Sequence, residues 1–241
     1  MISTLFKRWL RVPAGLTNEP SRIAWLEKTL RNIPDGLTIL DAGAGEGQFK
    51  PFCSHLTYIS QDFGEYTGEG AVGLQTGKWD TTGIDIVSDI VSIPLSDGSV
   101  DAIMCTEVLE HIPDPPAAIE EFARLIRPGG HLIITAPFTS LTHFAPFHFA
   151  SGLSRFFYEH YLPIHGFDIE ELALNGNYFE FLAQENRRIS SVAQRYASTR
   201  LSIFDKIIIY LNIRILNRLS SRDTGSSESL CFGVHVLARK R

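Results

Sequence analysis

A run of glycines flanked by carboxylates has the residue types and spacing of a ligand-binding turn. The segment DAGAGEG at residues 41–47 follows a short apolar run, and it supplies three glycines that can approach a ligand closely because they carry no Cβ: Gly43, Gly45 and Gly47. Asp62 ends the next apolar run, and its two carboxylate oxygens can accept hydrogen bonds from both hydroxyls of a ribose. Asp41 and Glu46 would repel a pyrophosphate, so the pattern favours a ribose-containing cofactor other than a dinucleotide.

Histidines further along the chain are suited to removing a proton near neutral pH. His143 and His148 lie in an aromatic segment at residues 142–163 that should overhang the ligand, so we predict these two as catalytic bases and rank His111 below them. The alternative is that the aromatic side chains belong to the core and the histidines are hydrogen-bonded loop residues. No tight ligand spacing such as HExxH occurs, so the sequence predicts no metal site.

The elements that must position these residues alternate between strands and helices. We predict strands at residues 37–40, 57–60, 85–88, 100–105, 131–135, 166–174 and 230–238, and helices from about residue 18 to 30 and at 49–56, 115–126, 177–195 and 202–219. Short apolar strands without strict period-two patterning indicate an α/β fold with a doubly wound, mostly parallel seven-stranded sheet and extra C-terminal helices. Ligands should bind at the carboxyl ends of its strands. The glycine-rich connection at residues 63–83 stands where a crossover helix is expected.

Five segments together resemble the class I S-adenosylmethionine-dependent methyltransferase family, of the type 11-like domain. In order, these segments are ILDAGAGEGQF, YISQDF, DIVSDI, IPLSDGSVDAIMCTEVLEHIPDP and LIRPGGHLIITAP, and they cover roughly residues 37–137. The resemblance implies a Rossmann-like fold with S-adenosyl-L-methionine as cofactor. It also implies that Asp41, Gly43 and Gly45 surround the methionine part and that Asp62 binds the ribose. The adenine would lie against Asp89 and Ile90, and Glu107 would line the methionine end.

Length and composition bound the domain organisation and the partners. The chain has 241 residues, 44% of them apolar, which predicts a single domain over 1–241. We divide it into an N-terminal helical extension at 1–35, a cofactor-binding core at 37–137 and an acceptor-side region at 138–241, with a helical insertion at about 177–219. A net charge of -5 leaves no basic surface for nucleic acid.

The cysteines and the N-terminus indicate a cytoplasmic protein. Cys53, Cys105 and Cys231 lie far apart among apolar residues, as reduced core thiols do. The stretch at residues 1–13 has no continuous apolar run followed by a cleavage site, so no secretory signal is predicted.

The function that these observations favour is methyl transfer to a small-molecule acceptor, with oxygen preferred because histidines lie near the pocket. A sugar or an aromatic metabolite would fit. Alternatives are C-methylation of a lipid-like acceptor such as a quinone, and a non-catalytic cofactor-binding or regulatory protein of the same fold. The glycine spacing disfavours a nicotinamide-dependent oxidoreductase.

A strongly apolar stripe marks the last predicted helix, at residues 202–219. It consists of Phe204, Ile207, Ile208, Leu211, Ile215 and Leu219. We expect this stripe to pack against the sheet or against a partner in a homodimer. The alternative is weak contact with a membrane surface that admits a lipid-like acceptor. The helix is too short and too charged to be a transmembrane segment.

Overall fold

The computed structural model describes residues 12–66, 68, 73, 74, 77 and 80–241. The chain divides into two compact units. The first contains the described residues up to Ser21 together with Leu174–Phe232, and the second contains Arg22–Ala173 and Gly233–Arg241. The predicted helical insertion at about 177–219 falls within the first unit, whereas every strand except the end of the sixth belongs to the second.

The second unit is built on the predicted seven-stranded sheet. Its strands are β1 Thr38–Ala42, β2 Thr57–Asp62, β3 Ile86–Val87, β4 Val100–Thr106, β5 Ile126–Pro137, β6 Phe167–Asn175 and β7 Gly233–Lys240. They lie in the order β3-β2-β1-β4-β5-β7-β6, with β1 to β5 paired in parallel and β7 antiparallel to β5. The connection direction reverses between β1 and β4, and in such sheets ligands bind beside this point. The predicted fold class is therefore confirmed.

The helices of the two units form where apolar residues recur at helical spacing. The five α-helices of the described residues are α1 Asn18–Arg31, α2 Pro115–Leu125, α3 Arg155–Ile164, α4 Tyr178–Tyr196 and α5 Ile203–Ser220. Asp114 begins α2 by accepting a hydrogen bond from Ala117 N at 3.3 Å, and prolines suit its first turn because their missing N–H is not needed there. Ile119 and Phe122 are fully buried, so α2 presents its predicted apolar face to the core.

Two local predictions are corrected by the structure. Residues 49–56, predicted as a helix, contain only a short 3₁₀ helix at Lys50–Cys53. The segment between the glycine turn and β2 is too short for more, and Phe52 N donates to Phe49 O in a three-residue turn. Conversely, most of α3 lies within the aromatic segment at residues 142–163, for which no helix was predicted. Tyr158 and Leu162, one turn apart, are buried and fix this helix.

The first unit packs α4 against α5, and its core includes Ala183, Ile213 and Leu216. The six side chains of the predicted apolar stripe are all exposed. Their exposed fractions run from 37% at Leu219 to 68% at Phe204. Within the first unit, α5 instead buries Ile213 and Leu216. Packing of the stripe against the sheet or against a homodimer partner stays a prediction.

Two further sequence predictions concern the thiols and the membrane. Cys53, Cys105 and Cys231 are all buried, as expected of core thiols. Within the part of the chain that the structure describes, every helix is too short or too polar to cross a bilayer.

Candidate functional site

The glycine turn at residues 41–47 joins β1 to the 3₁₀ helix and lies against the end of β2. Gly43 N donates a hydrogen bond to Gln61 O at 2.9 Å, and Gly43 has a φ of +77°. A Cβ at this position would lie only 2.6 Å from Cγ2 of Val108. Gly45 and Gly47 also have positive φ angles, of +54° and +70°. The predicted glycines therefore form a tight turn whose backbone is accessible only because side chains are absent.

Replacing Gly43 with alanine should destabilise the protein more than the same change at Gly36. The φ angles of Gly43 and Gly36 are similar, +77° and +79°, but a Cβ at Gly36 would meet nothing within 4 Å. Both variants should lose roughly 1–2 kcal/mol to the left-handed backbone, and Gly43→Ala about 1–3 kcal/mol more from overpacking. Denaturant unfolding measures the two losses. Equal losses would mean that Val108 moves aside and that the turn is not tightly packed.

Asp62 is brought directly to the glycine turn. Its Oδ2 accepts a hydrogen bond from Gly45 N at 2.9 Å, and its Oδ1 accepts one from Gly64 N at 2.9 Å. The side chain is buried at the carboxyl end of β2. Each carboxylate oxygen has a second lone pair, so both can still accept a hydrogen bond from a ribose hydroxyl.

Gln61 is a site residue that the sequence analysis missed. Its Nε2 donates to Ser88 O at 2.7 Å, and its Oε1 accepts from Gly43 N at 3.3 Å, so it connects the glycine turn to the end of β3. Asp89 follows there with an exposed side chain that accepts from Val91 N at 3.2 Å, and Ile90 is buried. Its polar side chain near the end of an apolar strand is only a weak sequence signal, because it does not identify the partners of Gln61.

Asp41 is buried at the end of β1. Its Oδ2 accepts a hydrogen bond from the Tyr58 hydroxyl, whereas its Oδ1 has no hydrogen-bond partner among the described residues. Burial raises the pKa of Asp41 to about 7, opposed by the hydrogen bond from Tyr58 and reinforced by the charge of Asp62. The unsatisfied oxygen is a polar group available to a ligand in the turn.

Glu107 lies directly after β4 and has an unusual backbone. Its φ is +55°, which is rare for a residue other than glycine and is found most often at functional sites. Arg22 Nη1 donates to Glu107 Oε2 at 2.8 Å, and Thr135 Oγ1 donates to Oε1 at 3.0 Å. These two contacts hold the carboxylate at the carboxyl ends of β4 and β5.

The structure brings the three histidines together, although they are far apart in the sequence. The ring centroids of His111 and His143 are 4.7 Å apart, and those of His143 and His148 are 5.0 Å apart. We call this group, His111, His143 and His148, the histidine cluster. Glu110, which the sequence analysis quoted but did not assign, is fully buried beside it. The prediction of a metal-free pocket rested on the lack of close ligand spacing, and the fold removes that argument.

Burial keeps members of the histidine cluster neutral. It lowers the pKa of His111 to about 4, with the Phe147 carbonyl opposing the shift and the other two histidines adding to it. Burial, together with the charge of His143, also lowers the pKa of His148. Conversely, burial raises the pKa of Glu110 well above its usual range, reinforced by Glu107. Neutral imidazoles have a lone pair, so they can accept a proton or bind a cation.

Aromatic side chains pack around the histidine cluster and join it to the glycine-rich connection. The ring of Phe144 stacks on Tyr66 at a centroid distance of 3.5 Å and lies 4.6 Å from that of His111. Leu74 N donates to Thr142 O at 2.8 Å, and Phe144 N donates to Leu74 O at 3.3 Å. Other aromatic residues of the segment, such as Phe156, are exposed. The described part of the 63–83 connection therefore contacts the segment that carries His143.

The fold and these residues identify the family. A methyltransferase domain family matches residues 17–195, which is most of the chain. The protein belongs to the class I S-adenosylmethionine-dependent methyltransferases, as its motifs indicated.

Curated relatives match only in part. The chain is 31% identical over 122 residues to an uncharacterized methyltransferase of Mycobacterium sp. (strain KMS), with 46% of each chain covered. It is 26% identical over 120 residues to a ubiquinone biosynthesis O-methyltransferase of Leptothrix cholodnii, covering 48% of this chain and 50% of the relative. The chain thus spans about half the length of the curated relatives it matches.

Solved structures share the fold at low sequence identity. The YcgJ protein from Bacillus subtilis has a TM-score of 0.52 and 16% identity, with 91% of this chain and 97% of that one covered. The cyclase SpnF has a TM-score of 0.54 and 16% identity, with coverages of 90% and 80%. At these identities the likeness establishes the fold alone, and a neighbour named as a cyclase illustrates that one fold can serve different reactions.

The residues present fit S-adenosylmethionine. Gly43 allows the turn to pack closely against Val108, and the neighbouring Asp41 keeps a buried oxygen without a hydrogen-bond partner among the described residues. Asp62 retains acceptor positions for ribose hydroxyls, and Glu107 and Asp89 occupy the neighbouring strand ends. This donor and acceptor set suits a neutral ribose and a cationic amino acid portion better than a pyrophosphate.

Proposed function

We propose that the protein transfers a methyl group from S-adenosylmethionine to a hydroxyl oxygen of a small molecule. The observation that carries this proposal is the histidine cluster, which brings three imidazoles together after β4 and β5, at the sheet edge where Asp41 and Asp62 also lie. Oxygen acceptors need a base because a hydroxyl is a weak nucleophile until its proton is removed. A sugar or an aromatic metabolite has such hydroxyls.

In this proposal the cofactor-binding residues fix the geometry of transfer. Asp62 binds the ribose hydroxyls, the backbone of Gly43, Gly45 and Gly47 lies against the methionine part with Asp41, and Glu107 lines its end. Asp89 and Ile90 contact the adenine. S-adenosylmethionine supplies a methyl group that is already electrophilic on its sulfonium. The protein therefore has to align the acceptor oxygen with that methyl group and accept one proton.

His143 and His148 are the proposed bases. Burial and the neighbouring imidazole lower the pKa of His148, so it is neutral near pH 7 and able to take a proton. The stacked and buried rings of Phe144 and Tyr66 pack beside the cluster, so its surroundings are apolar. No basic surface is required, in keeping with the net charge of -5.

The test is cofactor turnover with a panel of acceptors. Purified protein is mixed with S-adenosylmethionine and with phenols, catechols, sugars, amines and thiols in parallel, and S-adenosylhomocysteine is quantified. We expect product with hydroxyl compounds only. His143→Ala and His148→Ala should then lower kcat roughly 100-fold or more without changing cofactor affinity, whereas exposed His160→Ala should leave both unchanged. Turnover with amines or thiols alone would refute oxygen transfer, and cofactor binding without any turnover would favour a non-catalytic role.

A lipid-like acceptor, methylated on carbon, is the second candidate, and the exposed stripe of α5 supports it. Leucine, isoleucine and phenylalanine side chains that no part of the first unit covers suit the boundary of a lipid surface. Lys206, Arg214 and Arg218 on the same helix would meet anionic head groups. Relatives named as ubiquinone biosynthesis O-methyltransferases support a quinone acceptor, although their name specifies oxygen and not carbon as the methylated atom.

Flotation with anionic vesicles tests this second candidate. The wild-type protein should float, and Phe204→Glu with Ile208→Glu should remain in the soluble fraction, while the exposed Val87→Glu change in the second unit should make no difference. A wild-type protein that does not float, or that elutes as a stable dimer lost in the α5 variant, would refute the membrane role of the stripe.

A further inference from the structure

The histidine cluster and Glu110 form a compact set of ligand-type atoms. One ring nitrogen from each histidine lies within 4.8 Å of the others. Glu110 Oε1 lies 3.6 Å from His111 Nε2 and 3.7 Å from His143 Nε2. Two ligand atoms that each lie about 2.1 Å from a tetrahedral ion are roughly 3.4 Å apart. The two Glu110 distances are close to this value, and the histidine nitrogens would have to move closer together on binding an ion.

Backbone carbonyls orient two of these imidazoles. The Nδ1 of His111 lies 2.6 Å from Phe147 O, and the Nδ1 of His143 lies 2.9 Å from Leu141 O. A carbonyl only accepts hydrogen bonds, so each Nδ1 must carry the proton and each Nε2 must present its lone pair. Both lone pairs are therefore on the nitrogens next to Glu110. Metal-binding histidines are commonly held by such a contact from the second nitrogen to a carbonyl.

Polar atoms of Glu110 and His148 are buried without hydrogen-bond partners among the described residues. Neither Oε1 nor Oε2 of Glu110 has a hydrogen-bond partner among the described residues, although the side chain is fully buried. The buried Nδ1 of His148 also lacks a partner there. A fully buried carboxyl group without hydrogen bonds is costly, and a cation bound between it and the imidazoles would remove this cost.

We propose that His111, His143, His148 and Glu110 bind one divalent transition metal ion. Three imidazole nitrogens and one carboxylate oxygen suit Zn²⁺, Co²⁺ or Fe²⁺ and are a poor match for Mg²⁺ or Ca²⁺, which prefer oxygen ligands. The ion neutralises Glu110 and gives the imidazole lone pairs a partner. The ligands come from the 3₁₀ helix after β4 and from the loop after β5, so binding would fix the loop to the sheet.

The metal also changes what the cluster does in the reaction, and this part of the inference rests on the proposed function. To bind an acceptor oxygen as well, an ion with these four ligands would have to become five-coordinate; it would then lower the pKa of the hydroxyl and orient the oxygen, and the proton would leave to solvent rather than to a free histidine. Under this arrangement His143 and His148 act as ligands. Metal binding itself depends only on the geometry of the cluster and not on which acceptor is methylated.

The experiment is a titration of untagged, chelator-treated protein with Co²⁺, followed by its visible absorption, with zinc content after equilibrium dialysis as a second readout. We expect one ion per chain and an intense tetrahedral Co²⁺ spectrum. His143→Ala and Glu110→Gln should each weaken Co²⁺ binding by about 100-fold or more. Loss of a group that only contacts a metal ligand typically costs roughly 10- to 100-fold in metal affinity, and loss of the ligand itself should cost at least as much. Exposed His160→Ala should bind as the wild type does.

Several outcomes would overturn the proposal. These are no Co²⁺ spectrum in the wild type, binding that His160→Ala removes, or binding that survives in the double variant His143→Ala with His148→Ala. The double variant also serves if Glu110→Gln does not fold, and thermal unfolding of each metal-free variant reports folding. S-adenosylmethionine binding is measured by calorimetry on the same samples. Co²⁺ binding without cofactor binding would refute the proposed function and retain the metal site. Cofactor binding without Co²⁺ binding would refute the metal site and retain the proposed function.

Discussion

Replacing Asp62 with alanine is expected to weaken S-adenosylmethionine binding by about 1–3 kcal/mol, or roughly 5- to 150-fold. The carboxylate accepts from Gly45 N and from Gly64 N, both at 2.9 Å, so its removal takes away the proposed ribose acceptors and also two backbone contacts of the turn. Calorimetric titration with S-adenosylmethionine and S-adenosylhomocysteine measures the loss. Asp62→Asn, which keeps one acceptor oxygen, should lie between alanine and the wild type.

Asp101→Ala is the matched control for this experiment. Its carboxylate also accepts from a strand backbone, Thr38 N at 2.7 Å, but it lies at the opposite end of β1. This variant should lose stability and keep its cofactor affinity. Unchanged affinity in Asp62→Ala, or an equal loss in both variants, would refute the assignment of Asp62 to the ribose.

Replacing Asp41 with asparagine should stabilise the ligand-free protein, and more so at alkaline pH. The pKa of Asp41 rises from 3.8 to about 7 on folding, because burial disfavours its charge. The folded chain thus holds a proton that the unfolded chain has released, and the free energy of unfolding falls as the pH rises from about 4 to 7. Asparagine carries no charge at any pH and can still accept from Tyr58. The stabilisation should therefore grow by about 2–3 kcal/mol between about pH 5 and pH 8.

Urea unfolding at the two pH values measures this difference, with each variant compared to the wild type so that other titrating groups cancel. Asp35→Asn is the control, because that carboxylate is exposed in the turn before β1. It should show no dependence on pH. A stabilisation of Asp41→Asn that is equal at both pH values would mean that the buried carboxyl is already ionised at about pH 5.

The cofactor half of the site was predictable because its residues are close in sequence to the ends of strands. Asp41, Asp62 and Glu107 each end or follow an apolar run, and parallel strands bring their carboxyl ends to one edge. Once the strands were identified, the order of the motifs placed these side chains together. Gln61 was missed since an amide in a strand has no distinct sequence signal until its partners, Gly43 and Ser88, are known.

The acceptor half could be predicted only in part. His143 and His148 were predicted from residue type and from their position after β5, but their distance from Glu110 depends on how a loop folds back onto the end of β4. Spacing along the chain contains no information on that contact. For this reason the sequence argued against a metal site, whereas the ligand geometry argues for one.

Helix α5 shows another limit of sequence patterns. Periodicity predicts that a helix has an apolar face, but it does not specify what covers that face. Here two apolar faces exist, and the narrower one, with Ile213 and Leu216, is buried within the first unit. The broad stripe that dominated the pattern is exposed, so its occupant must be found by experiment.

The contact between the 63–83 connection and the loop of His143 has a consequence for the order in which ligands bind. Gly64 donates to the carboxylate of Asp62, the ring of Tyr66 stacks on Phe144, and Leu74 pairs with His143 in a one-residue bridge. The 63–83 connection therefore contacts both Asp62, which we propose binds the ribose, and His143, which we propose binds the metal. Cofactor and metal should then show positive cooperativity, each raising the affinity of the other by the same factor, as thermodynamic reciprocity requires.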